Sequence, residues 1–122
     1  MSRRLEVAPA ARGDIAQILQ ASATDFGEGA RSRYASLIAA AIKDLLEDPE
    51  RPESLDRSEL RDGIRSYHLR HSRRRAATGE TAVKSPRHLI LYMAPTADLL
   101  MVCASCTTRW KSNAICRASS RQ

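Results

Sequence analysis

The sequence predicts an α+β domain in which an N-terminal strand and an antiparallel two-helix hairpin accompany a small antiparallel sheet, with the hairpin packed on the sheet. Three observations predict it. Apolar residues recur at helical spacing over two stretches joined by a glycine-containing link; the period changes to two after Gly63; and two continuous apolar runs follow, around His88 and after Asp98. A length of 122 residues fits one domain and excludes two full ones. With 43% hydrophobic and 28% charged residues there is enough apolar material for a core and too little charge bias for wholesale disorder. Aromatics are only 4%, so the core is expected to be aliphatic and an aromatic base-stacking platform is disfavoured.

Leu5 and Val7 alternate with Arg4 and Glu6, a short strand pattern that stops where Ala8 meets Pro9. Pro9 suits the first turn of a helix, where its missing N–H has no partner to lose, and Asp14 lies near that positive end. Ile15, Ile18, Leu19, Ser22 and Phe26 then set one narrow apolar stripe, with Gly27 as the stop. The second helix spans Glu28 to Glu47. Tyr34, Leu37, Ile38, Ala41, Ile42, Leu45 and Leu46 mark the clearest periodicity in the chain, and Leu37, Ile38, Ala41, Ile42 and Leu45 are expected to fill the core rather than a partner groove. A link confined to 27–29 forces the helices to fold back antiparallel.

Asp48 to Pro52 breaks the second helix, and Glu53 to Asp62 reads as a polar connection of low regularity. From Gly63, Arg65, Tyr67 and Leu69 fall on one face of a strand and Ile64, Ser66 and His68 on the other. Arg70 to Lys84 suits a solvated hairpin loop. His88 to Met93 reads as a central strand, Pro95 to Ala97 as a turn, and Asp98 to Ala104 as the last strand, with the first strand added at an edge.

The charge is polarised. Residues 1–60 hold 8 basic and 11 acidic side chains, whereas residues 61–122 hold 12 basic and 3 acidic, within a net charge of +6. A basic half implies an anionic partner, either nucleic acid, an acidic protein segment or a phosphate-bearing complex, with association weakened by salt. Arg3 and Arg4 precede no apolar stretch of the secretory kind, and no apolar run approaches the ~20 residues of a membrane span, so a cytoplasmic protein with no membrane partner is expected. Cys103, Cys106 and Cys116 are odd in number, and the Cys-x-x-Cys has no fourth ligand in view, which disfavours a metal site.

There is no Gly-rich phosphate loop, no His-Glu-x-x-His and no Gly-x-Ser-x-Gly, so small-molecule catalysis is disfavoured and no cofactor is expected. His68, His71 and His88 form a conceivable cluster, although a lone strand histidine is more often structural. Arg65, Arg73, Arg74, Arg75, Lys84, Arg87 and His88, with Tyr92 nearby, form a set able to neutralise phosphates or bind an acidic partner. A solvated charged hairpin accounts equally well for Arg73 to Arg75.

Residues Ala11, Asp14, Ile15 and Ile18, then Phe26-Gly27, Tyr34, Leu60, Gly63-Ile64-Arg65-Ser66-Tyr67, Pro86-Arg87-His88 and Leu91-Tyr92 together give the chain, from Leu5 to Val102, a pattern that resembles the ParE toxins of type II toxin-antitoxin modules, within the wider ParE/RelE superfamily. The resemblance implies a helical hairpin on a sheet, poisoning of DNA gyrase by protein binding, plasmid stabilisation, no direct sequence-specific DNA binding by the toxin, and neutralisation in a hetero-oligomer by a ParD-like antitoxin whose flexible tail wraps the toxin along the hairpin and sheet, its acidic and apolar residues suiting the basic half. The superfamily also includes RelE-like endonucleases that cut messenger RNA on the ribosome. For that chemistry Arg65, Arg87, His88 and Tyr92 are the candidate catalytic residues. A third expectation is a toxin-derived binding domain with no activity.

After Val102 the resemblance stops. The family continues with an Arg-containing stretch and a His-x-x-Met-x-x-x-Arg-His-Leu segment, whereas this chain reads Cys103-Ala104-Ser105-Cys106 and then polar residues to Gln122. A permitted set of codons for residues 102–117, read from the last base of the Val102 codon, spells VRVLHDAMEIERHLP, which has the family's form. A frameshift near codon 102 is therefore the expected origin of the tail. It divides the chain into a toxin-like domain, 1–104, and an irregular out-of-frame tail, 105–122, which is expected to dock loosely and to put toxicity in doubt.

Overall fold

A computed structural model describes residues 3–73 and 86–107; the side chain of Thr107 is not among them. It is α+β, with two helices and a five-stranded sheet in the order β1-β5-β4-β3-β2. The strands are β1 (Arg4–Val7), β2 (Leu55–Asp56), β3 (Arg65–His68), β4 (His88–Thr96) and β5 (Leu99–Thr107). The helices are α1 (Pro9–Phe26) and α2 (Glu28–Glu47), and a 3-10 turn covers Leu69–Ser72. The sheet is mixed, which corrects the expectation of a purely antiparallel one: β1 lies parallel to β5, with Leu5 beside Leu100 and Val7 beside Val102. The reason is connectivity. Two helices intervene between β1 and the rest of the sheet, and a crossover of that length can return the chain in either direction.

A single residue joins the helices. Gly27 has φ 94° and ψ 172°, a region open essentially to glycine alone. Its N–H closes α1 on the Ala23 carbonyl (2.9 Å), while its own carbonyl accepts from Arg31 N–H (3.2 Å) and starts α2. Chain reversal over one residue holds α1 and α2 side by side.

Both helices cover one face of the sheet. Ala11, Tyr34, Leu37, Ile38, Ala41 and Leu45 pack there against Tyr67, Leu69, Ile90, Tyr92, Leu100 and Val102, with Ile15, Ile18, Leu19 and Ile42 at the margin. Phe26 does not join them. It is the last residue of α1, at the hairpin tip, with 78% of its surface exposed. The opposite face carries a smaller cluster, Ile64, Leu89, Leu91, Cys103 and Ala104, flanked by Leu60, Met93, Met101 and Cys106.

A bulge in β5 decides which residues face which side. Leu91 pairs with Ala104 but Tyr92 with Val102, so Cys103 is the extra residue. Before it, Leu100 and Val102 face the helices; across it, Cys103 and Ala104 both face away, and Ser105 is returned to the helix side. There β1 has ended, and the Ser105 N–H donates to Asp14 Oδ2 on α1 (3.1 Å), so a buried carboxylate satisfies the edge that β1 leaves uncovered. The strand thus runs three residues past the expected domain boundary at Ala104. Residues 108–122, with Trp110 and Cys116, lie outside the described residues.

Three other boundaries differ. Pro95 belongs to β4 rather than to a turn, tolerated because β3 pairs only with Leu89–Tyr92 and leaves that stretch of β4 one neighbour short. The reversal falls at Ala97-Asp98, where the Thr96 hydroxyl donates to Asp98 Oδ1 (2.7 Å). The connection 53–62 contains β2, too short to carry a period, which pairs antiparallel with β3. Gly63 (φ 84°) then turns the chain into β3. Finally, the loop expected from Arg70 begins as a packed turn, with Leu69 and Ser72 both fully buried.

Candidate functional site

The sequence-predicted residues separate into two places. Arg65 and Tyr92 face each other across the β3–β4 ladder, in the middle of the sheet. Both are engaged in holding the fold. The Tyr92 hydroxyl donates to the Pro49 carbonyl, its ring is fully buried, and burial raises its pKa. The Arg65 guanidinium donates through Nε (3.2 Å) and Nη2 (2.8 Å) to Ser54 Oγ, which in turn donates to the Arg51 carbonyl (2.7 Å). Together they pin the chain leaving α2 onto the sheet.

His88 opens β4, four residues from Tyr92 and therefore about 13 Å away along the strand, and Arg87 immediately precedes it. Arg65, Arg87, His88 and Tyr92 are brought to one strand pair but not to one reacting point, which is closer to 3 Å in a catalytic constellation. At the corner, Tyr34 of α2 reaches His88: its hydroxyl lies 2.6 Å from Nδ1, and the Arg87 N–H donates to the same oxygen (3.3 Å). With a backbone donor taking one lone pair, we assign the phenolic hydrogen to Nδ1. His88 is then the neutral tautomer with its proton on Nε2, a hydrogen-bond donor rather than a base at that atom. Burial first, and the Arg87 charge second, lower its pKa and keep it neutral.

Two more histidines complete the corner. His68 ends β3, and its Nδ1 accepts from the Arg70 N–H (3.1 Å), capping the 3-10 turn. His71 lies on that turn with its ring centroid 6.5 Å from that of His68 and 5.5 Å from that of Tyr67. Burial, then Arg70, His71 and His88, lower the His68 pKa to about 4. Burial and Arg70 lower that of His71. Arg70, Arg73 and Arg87 are exposed around these neutral rings. Arg74, Arg75 and Lys84, expected in the same basic set, lie outside the described residues.

The corner is held from below by groups that sequence reasoning missed. Asp44 of α2, 1% exposed, accepts from Ser72 Oγ through Oδ2 (2.5 Å), and the Ser72 and Tyr67 hydroxyls are 2.8 Å apart. The Asp44 carbonyl also accepts from Arg51 Nη1 (3.1 Å), and the Arg51 guanidinium lies 5.9 Å from the Tyr67 ring centre. A signal for Asp44 exists: it falls three residues after Ala41, a carboxylate on the apolar stripe of α2, and such a residue is buried with partners or not at all. Asp14, three residues after Ala11, carries the same signal on α1.

Among the described residues no group of three or more His, Cys, Asp or Glu side chains is placed to hold a metal ion. Cys103 is buried, and burial raises its thiol pKa, the opposite of a reactive cysteine. No described helix is long and apolar enough to cross a membrane. No protein-family model matches the chain, and no curated protein matches it.

Proposed function

We propose that this chain is a ParE-like toxin of the cytoplasm that acts by binding DNA gyrase and is held inactive by a ParD-like antitoxin, with its residues after Val102 out of the family's reading frame. The observation that carries this reading is the division of labour just described. The residues a nuclease of the RelE kind needs at one point are split, with Arg65 and Tyr92 committed to hydrogen bonds that hold the fold and Arg87 and His88 some distance off. What remains exposed is a ring of arginines around neutral imidazoles, suited to gripping an acidic macromolecular surface. The hairpin-on-sheet arrangement and the polarised charge agree with the same reading.

The test is direct. Purified chain and a frame-restored version are assayed for inhibition of gyrase supercoiling and for growth arrest on expression, with and without the product of a neighbouring small open reading frame. Inhibition by the frame-restored version, relieved by that product, is the expected result. Ribosome-dependent cleavage of messenger RNA without gyrase inhibition would overturn it in favour of the endonuclease. Antitoxin binding with neither activity would reduce the chain to a binding domain.

A further inference from the structure

The outer edge of β1 has no neighbour among the described residues, and three of its four residues are exposed. Arg4 N–H and Ala8 N–H both point inward, to the carbonyls of Asp98, just before β5, and of Val102 within it (2.6 and 2.9 Å). Alternation along the strand therefore turns the N–H and C=O of Leu5 and Val7 outward. Among the described residues only the Val7 carbonyl of these groups has a side-chain partner, Arg12 Nε at 3.2 Å, and a carbonyl keeps a second lone pair. Leu5 is 39% exposed, one of three large apolar side chains left in solvent among the described residues. Arg4 and Glu6 lie on the opposite face, 70% and 50% exposed, in a loose 3.7 Å ion pair.

We infer that β1 is a self-pairing edge, joining a second copy of this chain antiparallel about a two-fold axis at Leu5, so that the two sheets become one. The charge pattern selects this register. With Leu5 opposite Leu5 of the second copy, each Arg4 stands across from a Glu6, both on the face away from the helices, and the two leucines meet on the helix face. Sliding by two residues one way puts Arg4 opposite Arg4, and the other way Glu6 opposite Glu6; sliding by one residue turns the apolar side to the wrong face. The Leu5 residues then exchange a reciprocal N–H···O=C pair, flanked by Arg3–Val7 pairs. A two-fold contact of this kind is closed and grows no further on that edge. At the opposite edge, β2 has only two residues and offers no comparable template. The inference is independent of the gyrase reading.

Sedimentation equilibrium over a concentration series tests it. The wild-type chain is expected to show a monomer–dimer equilibrium. Arg4→Glu and Glu6→Arg, each placing like charges across the axis, are expected to weaken it by roughly tenfold or more. The double variant Arg4→Glu/Glu6→Arg, with unchanged net charge, restores wild-type association, and an equimolar mixture of the two single variants associates more tightly than either alone. Amide exchange at Leu5, slowed only in the dimer, locates the contact. A wild-type chain monomeric at about 1 mM, single reversals that dimerise as the wild type does, or a double variant that fails to recover would each overturn the inference; the double variant's melting curve distinguishes misfolding from lost pairing.

Discussion

Two tyrosines, each beside a basic residue of the sheet, show how differently the same chemistry is used at two points of one strand. At mid-strand, Tyr92 is fully buried and Arg65 half-buried, and their polar atoms hold the Pro49 carbonyl and the Ser54 hydroxyl. At the end of β4, Tyr34 holds a backbone N–H and an imidazole, and its neighbours Arg87 and His88 remain within reach of solvent. Position along β4, more than residue type, decides which pair is architecture and which is available to a partner. A hydrogen bond formed in a low-dielectric interior is costly to leave half-made, so the interior pair is constrained by stability. The corner pair is far less so.

The comparison can be broken by substitution. The largest expected loss is at Asp44→Ala, which strips the buried Ser72 hydroxyl of its carboxyl acceptor; about 2–4 kcal/mol of unfolding free energy should disappear in urea titration, and the 3-10 turn should lose amide protection. Tyr92→Phe leaves the Pro49 carbonyl without its donor and should cost about 1–3 kcal/mol, while affinity of the folded fraction for an antitoxin is unchanged. If affinity fell with the melting temperature intact, the interior assignment of Tyr92 would be wrong.

Tyr34→Phe should cost about 1 kcal/mol, and it has a second readout. Losing the donor to Nδ1 removes a bond made only to the neutral ring, so the His88 titration followed by NMR should move upward. The smallest stability effect belongs to Arg87→Glu, within about 0.5 kcal/mol because the side chain is exposed. The same change should weaken binding of an acidic partner and flatten its salt dependence.

Acid sharpens the contrast further. His68, His71 and His88 all have folded pKa values below the usual 6.5, with His68 at about 4. The unfolded chain binds more protons at these groups, so their contribution to stability is intact above pH about 6.5 and is lost as the pH falls toward 4. Denaturant titrations across that window should show a decline that His68→Gln reduces.

Much of the molecule was legible in the chain because it depends on local repetition. Tyr34 to Leu46 announces a helix face through spacing alone, Gly27 announces the reversal, and His88 to Met93 announces a central strand. Elements without a period were not legible: β2 has two residues, and the turn at Leu69 is masked by the arginines around it. Of the candidate site, Arg87 and His88 could be nominated from their place before an apolar run. Their partner Tyr34 lies 54 positions from His88, and no local pattern specifies that meeting.

By itself the sequence determined which stretches are helical or extended, where the two helices turn back, and that the second half is the basic one, since each follows from periodicity, glycine's freedom or a count of charges. Only the tertiary structure decided that β1 runs parallel to β5, that Asp14 and Asp44 are buried, and that Tyr92 belongs to the interior while His88 faces a corner. Those outcomes depend on which backbone and side-chain groups meet across long separations in the chain, and hydrogen-bond satisfaction in a dry interior is a property of that meeting rather than of any segment.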